Sequence, residues 1–235
     1  MADKRLQPKN VNLRPERFER RVVYEKCGRA KYISHLDLMR AMQRAIKRSK
    51  LPIWYTQGFN PRIYIMFPLT LPLGFESRVE VMDIALLEDI DFDEVVKALD
   101  AQMPEGMRIV SCSAPVHSHT EITYAEYIIR LVTDRSPEET MALFEDFLSK
   151  DKIEIEKRSK KKTVNIVDIR PSIDVKEMSA DDDGLTLNVR LPAGGNFNLN
   201  ASVVAETFLN MYGLNAELIC IERTKILLAN GEDFC

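Results

Sequence analysis

The chain has few of the residues that build covalent or metal frameworks. Its four cysteines, Cys27, Cys112, Cys220 and Cys235, lie far apart and form no CxxC pair. The three histidines add no ligand spacing. Neither a disulfide framework nor a structural zinc is expected from this pattern. The chain has no CxxxCxxC run, so it cannot hold a radical SAM cluster through that motif. No cofactor and no metal site are expected. Long apolar runs are also missing: none approaches the roughly 18 residues of a membrane span, so no membrane partner is expected. The first twenty residues, MADKRLQPKNVNLRPERFER, contain no apolar stretch of the secretory kind. They point to a cytoplasmic location with reduced thiols. Catalytic signatures are absent as well. There is no GxSxG, HExxH or P-loop. Gly194-Gly195 matches no dinucleotide fingerprint and reads as a turn.

What the chain does have is segregated charge. The 235 residues carry a net charge of −3, but residues 1–70 hold +11, residues 71–100 hold −7 and residues 101–235 hold −7. A basic N-terminal part beside an acidic remainder suits a polyanion or an acidic protein surface as partner. Hydrophobic content of 45% is enough for a core in one large domain or two small ones.

Periodicity divides the chain in two. Residues 1–19 read as a flexible basic arm. A strand is expected over Arg20–Ile33, a helix from His35 to about Lys50, and a strand over Arg62–Thr70. Arg78–Leu87 reads as a strand, Phe92–Met103 as an amphipathic helix and Met107–Ser113 as a closing strand. That order, βαββαβ, is the ferredoxin-like unit. A second set comes after it. It has a strand over Tyr124–Thr133, a helix from Pro137 to about Lys150, and a hairpin over Ile153–Lys157 and Thr163–Ile169. Strands over Ile173–Met178 and Leu185–Leu191, a helix over Ala201–Tyr212 and a strand over Glu217–Leu228 complete it. The expected fold class is α+β. It comprises two ferredoxin-like halves in tandem with antiparallel sheets, residues 20–115 and an expanded 120–229, then a tail of 230–235.

Charge and hydrogen-bonding capacity concentrate between Tyr32 and Pro61. Ser34 is placed as a helix N-cap, with Asp37 three residues on. His35, Met39, Met42 and Ile46 share one side of the helix and read as its buried stripe. Arg40, Arg44, Lys47 and Arg48 fall within about 100° on the opposite side, a cationic face suited to phosphates. LPIWYTQGFNPR then joins aromatic rings to Gln57, Phe59, Asn60 and Arg62 in a turn. Rings there can stack on bases while amides read their edges. His35 is a candidate general acid or base, because the helix dipole favours neutral imidazole at that position. The basic run 157–162 reads as a solvated hairpin tip, and Arg170 as an anchor or ion-pair partner.

SHLDLMR (Ser34 to Arg40), QGFNP (Gln57 to Pro61) and LPLG (Leu71 to Gly74) resemble a bacterial family linked to radical SAM proteins. VDIRPSI (Val167 to Ile173) and IERTKILL (Ile221 to Leu228) add to the resemblance. In that family the domain is fused behind a radical SAM domain or is a separate protein beside one. This chain departs from it where a His-Pro-Lys-like run often succeeds GFNP, having Arg62-Ile63-Tyr64 instead. The resemblance implies a radical SAM protein as partner. The resulting expectation is a non-catalytic recognition or accessory protein that binds RNA or another anionic substrate. One rival is a metal-independent RNA-processing or RNA-modifying enzyme using His35. The other is a protein-only adaptor.

Overall fold

A computed structural model describes residues 17–57, 59–158, 164–195 and 197–235. The first strand, β1, runs over Phe18–Lys26. Its Val22, Tyr24 and Lys26 are buried on one face, as two-residue alternation requires. A 3-10 turn over Gly28–Tyr32 replaces the second part of the strand expected to reach Ile33. Gly28, at φ +58°, turns the chain there. Helix α1 spans His35–Arg48, with the Ser34 side chain accepting from the Asp37 amide. The buried side of α1 is Leu38, Met42, Ala45 and Ile46. His35 and Met39, expected in that stripe, are only half-buried, so the stripe is rotated toward Leu38.

The expected strand over Arg62–Thr70 shrinks to Ile65–Met66 (β2). Pro68 and Pro72 interrupt the segment between β2 and the next strand, and proline cannot donate to a ladder. Next come β3 (Glu76–Leu86), α2 (Phe92–Asp100), β4 (Met107–Ser113) and β5 (Ile122–Thr133). Helix α3 covers Pro137–Ser149 and starts with a capping box between Ser136 and Glu139. A separate hairpin pairs β6 (Glu154–Arg158) with β7 (Val164–Asp168), and its tip, 159–163, lies outside the described residues. Strands β8 (Asp174–Asp181) and β9 (Gly184–Pro192), helix α4 (Ala201–Tyr212) and strand β10 (Ala216–Leu228) finish the chain. Gly213 closes α4 in the left-handed region at φ +62°. Arg170 is an anchor: its Nε donates to the Leu148 carbonyl at 2.6 Å, tying the end of α3 to the segment after β7.

Among the described residues the fold is α+β with four α-helices and a mostly antiparallel sheet. Seven strands take the order β4-β1-β3-β10-β5-β9-β8, and β2 pairs with β3 as the eighth. The separate antiparallel sheets expected for two halves are one continuous sheet. The join is its parallel pairing, where Glu222 and Arg223 of β10 meet Glu76 and Ser77 of β3. Tyr24 lies opposite Glu80, and Tyr127 opposite Arg223. Glu80 therefore shares a face with Met82, Ile84 and Leu86, which pack with Leu38 and Met42 of α1 and Val95 and Leu99 of α2. Arg223 shares a face with Tyr127, Ile129 and Leu131, which pack in the core that holds Phe144 and Phe147 of α3 and Phe208 of α4. The ion pair between Glu80 and Arg223 puts both helix layers on the same face.

That pair is almost fully buried, at 2% and 1% side-chain exposure, with 2.8 Å between Arg223 Nη1 and Glu80 Oε1. Arg223 Nη2 also donates to the Thr70 carbonyl at 3.1 Å. Breaking one member of a buried pair leaves an uncompensated charge and costs about 3–5 kcal/mol. Replacing both by apolar residues of similar volume is often neutral. Arg223→Met and Glu80→Met should therefore each lose stability of that order in urea unfolding, while the double variant recovers most of it.

Candidate nucleic-acid interface

The four cations expected on one side of α1 are all exposed. Their partners differ. Arg40 pairs with Asp37 at 3.2 Å. Arg48 donates to the Gln102 side chain at 3.1 Å and to its carbonyl at 2.8 Å, which ties the end of α1 to the segment after α2. Arg44 and Lys47 make no ion pair among the described residues. The expected cationic face therefore reduces to two cations free to meet a phosphate.

The aromatic turn is a hairpin. Tyr55 and Ile63 form an antiparallel bridge, and the Thr56 amide donates to the Arg62 carbonyl at 2.8 Å. The Arg62 amide returns to the Thr56 hydroxyl at 3.1 Å. At the base, Trp54 is buried and meets the edge of Tyr64 at 6.0 Å between ring centroids. The Arg17 guanidinium lies 5.2 Å from the Trp54 ring centre and 5.0 Å from that of Tyr64, a cation–π clamp. At the tip, Gln57, Asn60 and Arg62 are exposed and Phe59 is fully exposed. Gly58 lies outside the described residues. A Phe ring held in water is costly, since burying one is worth about 1.5–3 kcal/mol.

Helix and hairpin project from the same end of the sheet. Ile53 bridges to Leu86, the last residue of β3, and Leu86 lies opposite Phe18, the first of β1. The Leu87 amide donates to the Pro52 carbonyl at 2.7 Å, four residues after the last residue of α1. Lys47 and Arg48 therefore lie at the hairpin end. Arg40 is about 12 Å further along the helix at 1.5 Å per residue. His35 belongs to neither feature. It sits at the far end of α1 with its ring edge-on to Phe67 at 5.2 Å. No side-chain hydrogen bond to another titratable group reaches it among the described residues.

Arg17 and the buried set Lys26, Glu80 and Arg223 were not singled out from sequence. The signal for Glu80 and Arg223 was charge inside largely apolar runs, RVEVMDIALL and IERTKILL. No group of His, Cys, Asp or Glu among the described residues is arranged to hold a metal ion. Burial pushes the Cys112 thiol up to about 11. No described helix is long and apolar enough to cross a membrane.

Residues 20–201 match the family described as "Uncharacterized protein conserved in bacteria (DUF2344)". The chain belongs to that family. No curated protein matches. Among solved structures, a chain of the crystal structure of a Cbf5-Nop10-Gar1 complex is similar at 13% identity and a TM-score of 0.44. The match covers 88% of this chain and 48% of that one, so this protein spans about half of its length. A crystal structure of an unknown protein from Galdieria sulphuraria matches at 14% identity and a TM-score of 0.25, over 88% of this chain and 99% of that one.

The hairpin geometry separates its tip from its base. Phe59→Ala should leave stability within about 0.5 kcal/mol, as for other exposed positions. Trp54→Ala should lose about 3–5 kcal/mol through the cavity it leaves. Urea unfolding of both variants checks this.

Proposed function

We propose that the protein is a non-catalytic recognition protein that binds single-stranded RNA, or another anionic substrate, beside a radical SAM enzyme. The observation that carries this reading is Phe59, fully exposed on a hairpin between Gln57 and Asn60, at the same end of the sheet as Lys47. An unstacked base can lie on the ring while the amides meet its edge. Arg44 and Lys47 would take phosphates, with Arg62 at the base of the tip. The radical SAM partner rests on the motifs Ser34–Arg40 and Gln57–Pro61. His35 is given a packing role against Phe67 rather than an acid–base role.

The fold reading belongs with it. We take residues 18–113 and 122–228 as two ferredoxin-like units with a boundary after Ser113. In the first, strands lie in the order β4-β1-β3-β2, and in the second β10-β5-β9-β8. Both read fourth, first, third, second, with the β6–β7 hairpin as an insertion in the second.

The test is fluorescence anisotropy with a short single-stranded RNA across a salt series. Each phosphate contact on a single strand contributes about −0.7 to the slope of log affinity against log salt. The Arg44→Ala/Lys47→Ala double variant should bind more weakly, with the slope reduced by about 1.4. Phe59→Ala should lose about 1–3 kcal/mol of binding without a change in slope. An unchanged affinity and slope in the double variant would remove the phosphate role. Loss of a radical SAM partner in pull-down, with no RNA binding by wild type, would favour a protein adaptor.

A further inference from the structure

The join between the two parts of the sheet leaves one strand incompletely paired. β10 pairs with β5 from Ala216 to Leu228. On its other side it meets β3 only at Glu222 and Arg223, opposite Glu76 and Ser77, the first two residues of β3. Among the described residues, 216–221 therefore have no strand partner on that side. Residues 71–75 would fill the place if β3 began earlier. Pro72 and Gly74 turn them away instead. The Phe75 amide donates to the Pro72 carbonyl at 3.3 Å, and Gly74 sits at φ +86°. The Gly74 amide then donates to the Lys31 carbonyl at 2.9 Å. An edge of six residues, about 20 Å long, stays open inside the sheet.

Open edges attract further strands, and proteins usually blunt them with charges, proline or bulges. The outer edge strand β8 carries Asp174, Lys176, Glu177 and Asp181. The inner edge, AELICI, has a single charge and a bulge between Ala216 and Leu218. Leu218 and Ile219 are 46% and 41% exposed there. Ile219 lies opposite Leu131, on the face that packs against the helices. Leu218 and Cys220 lie opposite Val132 and Arg130, on the face turned away from them. On that face a groove of about 210 Å³ is lined by Leu218, Cys220, Arg130 and, from the Gly28–Tyr32 turn, Lys31. A space of this size takes a single extended chain and leaves no room for the face of a second folded copy. Its charges are unequal. Lys31 pairs with Glu76 and Arg78 with Glu222, but exposed Arg130 makes no ion pair among the described residues.

We propose that residues 216–221 dock an extended segment of a partner protein, which adds a strand beside β10 in the place that β3 leaves empty. Main-chain hydrogen bonds to the open edge hold it, and its alternate side chains divide between the two faces. On the helix face they meet Ile219, which favours an apolar residue. On the other face they meet Arg130, which favours a carboxylate. The segment recognised is therefore one that alternates β-branched apolar and acidic residues. Phe59, Arg44 and Lys47 take no part in it. Their hairpin bridges to Leu86, the last residue of β3, whereas the open edge begins beyond Glu76, the first. RNA and the peptide strand thus meet opposite ends of β3.

Fluorescence anisotropy of a labelled hexapeptide alternating valine and glutamate, read together with hydrogen exchange of the full chain, tests this. The peptide should bind saturably. It should protect those amides within 216–221 that point away from β5, which exchange fast in the free protein. A hexapeptide alternating valine and lysine should bind on the order of tenfold more weakly, and Arg130→Glu should reverse that order. Both positions 130 and 218 are exposed, so their variants should fold. Leu218→Lys should weaken binding of the glutamate peptide by placing a charge on the apolar edge. The Arg44→Ala/Lys47→Ala variant should bind it as wild type does, so failure of the RNA reading leaves this result standing. Absence of saturable binding, protection confined to other residues, or an unchanged preference in Arg130→Glu overturns the proposal. So does edge protection in the free protein that rises with protein concentration, which assigns the edge to a second copy.

Discussion

The contact between Arg223 and Glu80 is the constraint on which the rest of the structure depends. It spans the parallel pairing between the two parts of the sheet, and both side chains are removed from water. A buried ion pair contributes little net stability, since desolvation offsets most of the attraction. Its effect is on specificity: an arrangement that separates the two leaves a charge stranded in the core. Arg223 also holds the carbonyls of Leu69 and Thr70, so the segment from β2 to β3 is drawn across the join. Gly194 helps on the other side. Its φ of +102° and its approach to the Ile122 carbonyl, where a Cβ would stand 2.3 Å away, leave no room for a side chain. The loop leading to α4 is thereby held close to the start of β5.

Helix α1 links this joint to the exposed surface. Its first residues line a cavity at the joint, and its last lie at the hairpin end of the sheet. Leu38, Met42, Ala45 and Ile46 fix its rotation. That rotation turns Arg44 and Lys47 to solvent, and Arg48 reaches Gln102 to secure the end. The hairpin beyond is held at its base by Trp54, Tyr64 and Arg17, which leaves the tip no packing obligation. The Phe59 ring at that tip lies wholly outside the core.

Much of this was legible in the sequence wherever a single period dominated. Met107–Ser113 and Ala201–Tyr212 match their expected bounds, and β3, β5 and α3 differ by at most two residues at either end. The exposed cations of α1 came from 3.6-residue spacing alone. The reading failed where local order changes within a few residues. Gly28 ends β1 early, and the prolines at 68 and 72 leave only two paired residues in β2. The rotation of the α1 stripe was missed because His35 was counted as core, although its ring lies edge-on to Phe67 at the helix start. The continuity of the sheet was not legible, because it depends on two paired residues 146 positions apart along the chain, Glu76 and Glu222. Nor were the partners of Arg40 and Arg48, which separate bound cations from free ones.

The functional account rests on the hairpin tip and α1 touching the same RNA strand. Ultraviolet crosslinking of the protein to single-stranded RNA, with mass spectrometry of the joined peptides, tests this most directly. Aromatic side chains stacked on bases crosslink readily, so the account predicts the main adduct on the peptide holding Phe59, with α1 protected from modification at Arg44 and Lys47. Adducts confined to the second half of the chain, or none on residues 55–62, would contradict it.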